Sequence, residues 1–317
     1  MRAAVVAGPG AGPVCSDFPE PEPMPGQESL ELVAAGVHRV TKAIAAGQHY
    51  GSEHRYPLVA GVDAVARTAD GRLVFTGFPR APWGTMAERL VTPFSLEVPQ
   101  GADPLAIAAG VNPGMSGWFA LTAHQEEHGE IGVVLVLGAT GMSGSMAVQS
   151  AFALGAQRVV AAGRDPEALA RLSARGATVV SLGTGDPADA MAAAIGDEAP
   201  SLVLDYVWGP VAEATFAVLG RRGLAEDEEG GITYVQIGSL GGLEAALPAA
   251  LLRSRRIRII GSGAGSVSTS RMMAELPRIM RLIADGVLEA PSTAYPLERV
   301  ADAWGHSGPG RAVIVPG

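Results

Sequence analysis

The chain has almost no cysteine and almost no lysine. Cys15 is the single cysteine in 317 residues, so an internal disulfide is excluded, and so is a structural zinc site built from several thiolates. That usage predicts a reducing compartment and a cytoplasmic protein. Lys42 is the only lysine, and 32 acidic residues outnumber 23 basic ones to give a formal charge of −9. A field of that sign repels a phosphate backbone, so a nucleic-acid partner is not expected. No window holds the 18 or so apolar residues that span a membrane, and Met1 to Val6 runs into Gly8-Pro9-Gly10 before reaching signal-peptide length. No membrane partner follows from such a sequence.

What is present is the material of a large core. Hydrophobic residues make up 48% and charged residues 17%, enough for a globular protein of about two domains at roughly 100 to 200 residues each. Short internal repeats and long low-complexity tracts are missing. The N-terminal third reads as mostly β: Arg2 to Ala7, Ser29 to Ala34, Leu58 to Val65, Arg72 to Phe75 and Ala87 to Val91 are short apolar stretches broken by Gly and Pro. The proline-rich run within Val14 to Gln27 then serves as a rigid connection between strands.

The character changes near Asn112. A helix is expected from Met115 to Gln125, followed by the continuous apolar run Val133 to Gly138, the pattern of a strand buried on both faces. Helices at Ser145–Leu154, Pro166–Arg175, Ala188–Ile195 and Val211–Leu219 then alternate with strands at Arg158–Ala162, Thr178–Ser181, Leu202–Asp205, Thr233–Ile237 and Ile257–Gly261. This alternation predicts an α/β fold with a doubly wound parallel sheet. A short helix from Glu298 to Trp304 and a strand at Ala312–Val315 close the chain. The expected organisation is a β-rich domain of two segments, 1–111 and 287–317, with a Rossmann domain, 112–286, inserted between them and a ligand cleft between the lobes.

The strongest local signal is Gly138-Ala139-Thr140-Gly141-Met142-Ser143-Gly144, set between a buried strand and a helix. Such a turn lets backbone amides approach a pyrophosphate that rests on the positive end of the helix. Gly141 would permit the close approach and Gly144 the packing of helix on strand. Ala139 takes the place of the usual first glycine. About twenty residues on, Ala162-Gly163-Arg164-Asp165 ends the second strand. A ribose 2′-hydroxyl calls for a carboxylate there, whereas a 2′-phosphate calls for a guanidinium, so Gly163 and Arg164 point to NADP. Asp165 keeps NAD or dual use open.

These residues are similar to those of the medium-chain dehydrogenase/reductase superfamily, in its zinc-independent quinone oxidoreductase-like branch. The resemblance runs through Pro57–Asp63, Gly84–Glu88, Asn112–Ser116, the loop Gly138–Gly144, Ala162–Arg164, Asp205–Gly209, Ile237–Ser239 and Tyr295–Leu297, in that order. It implies a GroES-like catalytic domain around the Rossmann domain, NADPH as hydride donor, and a homodimer joined through the strand Ile257 to Ile260. Zinc-dependent members carry a cysteine and a Gly-His-Glu where this chain has His38 and Gly61-Val62-Asp63, so no metal is expected. Without a Lewis acid, reduction of an activated C=C bond or a quinone becomes the favoured chemistry.

The resemblance also implies Tyr50 as proton donor to the resulting enolate, with Lys42 and His49 as other polar groups of the same stretch. It places Asn112 and Ser116 near the nicotinamide, with Gly238 and Ser239 approaching from the other lobe. Asn112 could equally cap the helix that follows it. Two other activities stay open: a carbonyl or alcohol oxidoreductase, and a non-catalytic NADPH sensor or RNA-element binder.

Overall fold

A computed structural model describes residues 1–220 and 231–317. The chain divides into two compact units, Met1–Pro113 with Met273–Gly317, and Gly114–Met272.

The first unit opens with strands β1 (Arg2–Val6) and β2 (Val14–Asp17), which pair antiparallel. β2 takes the first residues of the expected proline-rich connector, because the prolines begin only at Pro19, past the stretch whose N–H groups serve the ladder. Next come β3 (Leu30–Gly36), α1 (Arg39–Ala45), β4 (Leu58–Val59), β5 (Asp63–Arg67), β6 (Leu73–Gly77), β7 (Arg89–Leu90) and β8 (Leu96–Glu97). The expected single strand Leu58–Val65 is thus two. Gly61, at φ +115°, breaks it, and a Cβ there would collide with Thr85.

Helix α2 runs from Pro104 to His128, eleven residues earlier than the start expected from Met115. Asp103 begins it, its carboxylate accepting the Leu105 N–H at 2.9 Å. Asn112 therefore sits inside the helix rather than at its N-cap, and the capping role is ruled out. Pro113 lies inside the helix, where a proline removes one N–H but leaves the turns on either side intact.

The second unit alternates as the sequence predicts. Its elements are β9 (Val133–Leu137), α3 (Met142–Ala153), β10 (Arg158–Gly163), α4 (Pro166–Ala174), β11 (Thr178–Ser181), α5 (Pro187–Ile195), β12 (Leu202–Asp205), α6 (Gly209–Gly220), β13 (Ile232–Gln236), α7 (Ala249–Ser254) and β14 (Ile257–Gly261). The six strands form one parallel sheet in the order β11-β10-β9-β12-β13-β14. Every residue of β9 is buried, and its side chains divide by parity. Val134 and Val136 join one apolar cluster with Val159 and Leu204. Leu135 and Leu137 join the other with Val160 and Phe216. Both faces are thus covered, which is why the run is continuously apolar.

Helix α8 (Thr269–Ala284) carries the chain back into the first unit. It buries Leu276, Ile279, Met280 and Ile283 on one stripe and, like α7, goes beyond the sequence reading. The chain ends with β15 (Ser292–Pro296), a 3-10 turn at Leu297–Arg299, α9 (Val300–Trp304) and β16 (Arg311–Val315). Strand order in the larger sheet of the first unit is β15-β16-β3-β5-β6-β8, with β7 also on β3. The C-terminal return therefore completes the sheet begun at Leu30: Val313 and Ile314 pair with Gly36 and Ala35.

Candidate active site

In the second unit, β10 and β11 follow β9 on one side and β12 to β14 lie on the other, so the strand order reverses at the end of β9. In a doubly wound sheet the crevice at such a reversal, beyond the carboxyl ends of the strands, is where ligands bind. The loop Gly138–Gly141 occupies that position. Gly138 turns the chain at φ +85°, and its N–H and that of Ala139 both donate to the Ala162 carbonyl at 2.9 Å. The loop is tied to β10 before helix α3 begins. A Cβ on Gly144 would collide with the Gly138 carbonyl oxygen, so glycine is what lets α3 pack against the loop. On Gly141 a Cβ would meet nothing nearer than 3.6 Å. Glycine there is not demanded by the chain itself; it leaves the loop surface flat.

Helix α3 begins at Gly141 with no side-chain cap. The first amides of a helix have no intrahelical acceptor, and those of Met142, Ser143 and Gly144 find none elsewhere among the described residues. Three N–H donors and the positive end of a twelve-residue helix are left facing one spot, a fit for a phosphate group. Thr140 leans the other way: a Cβ on Gly163 would collide with its side chain, so Gly163 makes room for it.

Beyond Gly163, Arg164 is exposed and its guanidinium forms no hydrogen bond or ion pair among the described residues. Asp165 is otherwise engaged. It caps α4, one carboxylate oxygen accepting the Glu167 and Ala168 N–H groups at 3.0 Å each. The residue that keeps an NAD site open in the sequence is therefore a helix cap.

Asp205, at the end of β12, is fully buried. Oδ1 accepts the Val207 and Trp208 N–H groups at 2.7 and 2.9 Å, and Oδ2 accepts the Tyr234 hydroxyl at 2.6 Å. Burial pushes the carboxyl up, against the three hydrogen bonds that pull it down. The carboxylate holds Trp208 in the left-handed region at φ +60° and so fixes the turn that leads out of β12. Gly238 packs on that turn: its N–H donates to the Asp205 carbonyl at 3.0 Å, and a Cβ on it would lie 2.7 Å from the Tyr206 carbonyl oxygen. Ser239 follows and is exposed. The Ser116 hydroxyl lies 3.2 Å from that of Tyr206.

In the first unit the structure gathers residues that the sequence scatters. His38 and Asp63 are both buried, with His38 Nε2 3.0 Å from Asp63 Oδ1. The Asn112 amide donates to Asp63 Oδ2 at 2.7 Å. One carboxylate thus serves both the imidazole and the amide, and His38 Nδ1 is buried with no partner. Asn112 thus spends its NH2 group within this unit, with its amide oxygen remaining. His38 and Asp63 fall at the places where zinc-dependent members of the resembled superfamily carry their cysteine and Gly-His-Glu, and the pair fits zinc poorly: no thiol is present, and both Asp63 oxygens accept hydrogen bonds. Among the described residues no three His, Cys, Asp or Glu side chains gather to hold a metal ion.

Tyr50 lies on the loop after α1, 75% exposed, its ring 4.0 Å from that of His49. His49 accepts the Gly51 N–H on Nδ1 at 3.0 Å, and burial holds its imidazole below the ordinary value. Lys42 is not a solvated side chain. It donates to the Trp304 carbonyl at 2.6 Å and lies over the Trp304 ring, and its ammonium is held below the usual lysine range by burial and by Arg311 and Arg39.

Residues 144–285 match a family described as zinc-binding dehydrogenase, a stretch that excludes His38, Asp63 and Asn112. The chain is 30% identical over 352 aligned positions, 96% of each protein, to the probable NADPH-dependent quinone reductase tdiC of Emericella nidulans. The quinone oxidoreductase of Thermus thermophilus, solved alone and with NADPH, superposes with a TM-score of 0.79 at 26% identity, covering 99% of this chain and 100% of that one. A 2-haloacrylate reductase shares the fold at a TM-score of 0.78 and 21% identity, over 100% and 99% of the two chains. Alike in sequence and in fold over nearly its whole length, the chain belongs to the medium-chain dehydrogenase/reductase superfamily of oxidoreductases, in its quinone oxidoreductase-like group.

Proposed function

We propose that the protein is an NADPH-dependent reductase that delivers hydride, without a metal, to the β carbon of an enone or enoyl group or to a quinone. The observation that carries this reading is the uncapped start of α3, with three open amides above a glycine-rich loop at the sheet's switch point. Arg164, unpaired beside a carboxylate already used as a cap, supports NADPH over NADH. The relative from Emericella nidulans and the Thermus structure, both associated with NADPH by name, support it as well.

In this reading Ala139, Thr140, Gly141, Met142, Ser143 and Gly144 hold the pyrophosphate, and Gly163 and Arg164 receive the 2′-phosphate. Gly238 and Ser239, with Ser116 and the remaining amide oxygen of Asn112, border the nicotinamide. When bound, the dihydronicotinamide supplies a hydride; a proton taken up at the α carbon or the oxygen balances the reduction to the saturated carbonyl or hydroquinone. Tyr50 is the candidate to hold that proton at its hydroxyl. The metal-free assignment rests on the donor set around Asp63, which holds no thiol and spends both carboxylate oxygens on His38 and Asn112.

Segments 1–111 and 287–317 then form the catalytic domain and 112–286 the cofactor domain. β14, with only β13 beside it among the described residues, would join two copies into a homodimer. A cytoplasmic location follows from the thiol-poor composition, and among the described residues no helix is long and apolar enough to cross a membrane.

The test is stoichiometric NADPH oxidation by a panel of enones and quinones, with and without a chelator. Turnover that survives chelation supports the reading, and turnover that chelation abolishes refutes its metal-free part. Tyr50→Phe should lower enone turnover several-fold while NADPH affinity stays the same; unchanged turnover removes Tyr50 from the mechanism.

A further inference from the structure

The first unit contains a cavity of about 200 Å3 that none of the residues assigned above lines. Apolar side chains make up most of its wall, Ile44 from α1, Val62 from the turn before β5, and Phe78, Pro82 and Trp83 from the segment after β6, beside polar ones that include Thr41 and His54. The walls are held from behind. The Phe78 N–H donates to the Val62 carbonyl at 2.8 Å, and the Trp83 indole N–H donates to the Pro19 carbonyl at 3.0 Å.

Two features mark it as more than a packing void. His54 and Phe78, at φ +52° and +55°, are two of the three non-glycine residues with positive φ among the described residues, and both line this one cavity. Left-handed backbone is costly for a bulky side chain and concentrates at functional sites. Thr41 is the second feature. It lines the cavity at 1% exposure, and its hydroxyl is buried without a hydrogen-bond partner. A donor left unmade in an apolar setting is unfavourable until a ligand's acceptor completes it.

We propose that this cavity receives the ring of the acceptor: a compact, uncharged, single-ring unsaturated carbonyl compound whose oxygen accepts the Thr41 hydroxyl. The identity of the ligand as hydride acceptor rests on the function proposed above. Size sets the ring count, since an apolar cavity of about 150 Å3 accommodates one benzene. The space here takes one six-membered ring with small substituents and excludes a fused tricycle. Charge sets the rest: Glu53 and Arg55, both exposed at the rim, carry opposite signs and leave no net preference for an ionic ligand.

Binding of 2-cyclohexen-1-one to the full-length protein, followed by ligand-observed NMR in the absence of cofactor, tests this directly. Thr41→Val keeps the shape and removes only the hydroxyl, so the expected result is about a tenfold weaker Kd. The melting temperature should be unchanged or higher, because no hydrogen bond is lost in the free protein. A structural role for Thr41 would instead lower the melting temperature and leave Kd alone. Val62→Phe fills the cavity and should abolish binding while leaving NADPH titration as in wild type. With NADPH present, 2-cyclohexen-1-one should be reduced at lower KM than a tricyclic quinone such as 9,10-phenanthrenequinone.

No binding to the wild type, or equal binding to both variants, overturns the proposal. Thr41-dependent binding without NADPH oxidation by any acceptor would refute the proposed reaction and leave the cavity assignment standing. Turnover that is indifferent to both variants would do the reverse.

Discussion

Replacing Arg164 by alanine tests the cofactor assignment at a single group. The guanidinium is exposed and unpaired among the described residues, so its loss breaks no interaction seen in the free protein, and Asp165 keeps its cap on α4. Whatever changes is therefore owed to the ligand. Hydrogen bonds to charged groups contribute roughly 1.5–3 kcal/mol, and an exposed site belongs at the low end because water and salt screen it. At about 1.5 kcal/mol, and about 1.4 kcal/mol per decade, the NADPH Kd should rise about tenfold. NADH, which has no 2′-phosphate, should bind as before. Both constants can be read by fluorescence titration of the reduced nicotinamide. The wild-type preference for NADPH should also narrow between about 50 and 500 mM salt, as the screening length contracts. An NADPH Kd within about twofold of wild type, or an equal loss for both cofactors, would refute the assignment of Arg164 to the 2′-phosphate.

Two further expectations concern the buried carboxylates. Asp63→Ala strands His38 Nε2 and the Asn112 amide without their partner, and at about 1–3 kcal/mol for each orphaned buried group urea unfolding should show a loss of about 2–6 kcal/mol. A loss below about 1 kcal/mol would mean that water or a neighbour replaces the carboxylate. For Asp205 the folded-state pKa is raised, so its titration contributes stability that is full below the unfolded value and fades as pH rises through the folded one. The stability advantage of wild type over Asp205→Asn should accordingly shrink as pH rises above the ordinary carboxylate range in urea melts, and an advantage that grows with pH there would contradict the raised pKa.

Much of the second unit is legible in the sequence because its signals are local. The run Val133–Leu137 is apolar throughout since both faces of the strand are covered, and Gly144 is glycine because the helix starts against the loop before it. Strand and helix follow one another at short range, so periodicity and turn chemistry suffice to order them. Helix α8 carries an equally local signal in Leu276, Ile279, Met280 and Ile283, with Pro277 on the exposed side of the helix arguing against it.

Composition, the alternating pattern and the glycine loop belong to the sequence itself, for they depend on neighbours a few residues apart. Other features depend on where the chain travels. Asp63 meets His38 and Asn112 across separations of 25 and 49 residues, and Lys42 reaches the Trp304 carbonyl across 262. Asp165 is a local case, since the N–H groups it caps lie two and three residues on. The burial of the Thr41 hydroxyl and the cavity beside it depend on distant segments. A side chain's type is written in the sequence, but the partner it meets is set by the packing of distant segments, and at these positions the partner decides the chemistry.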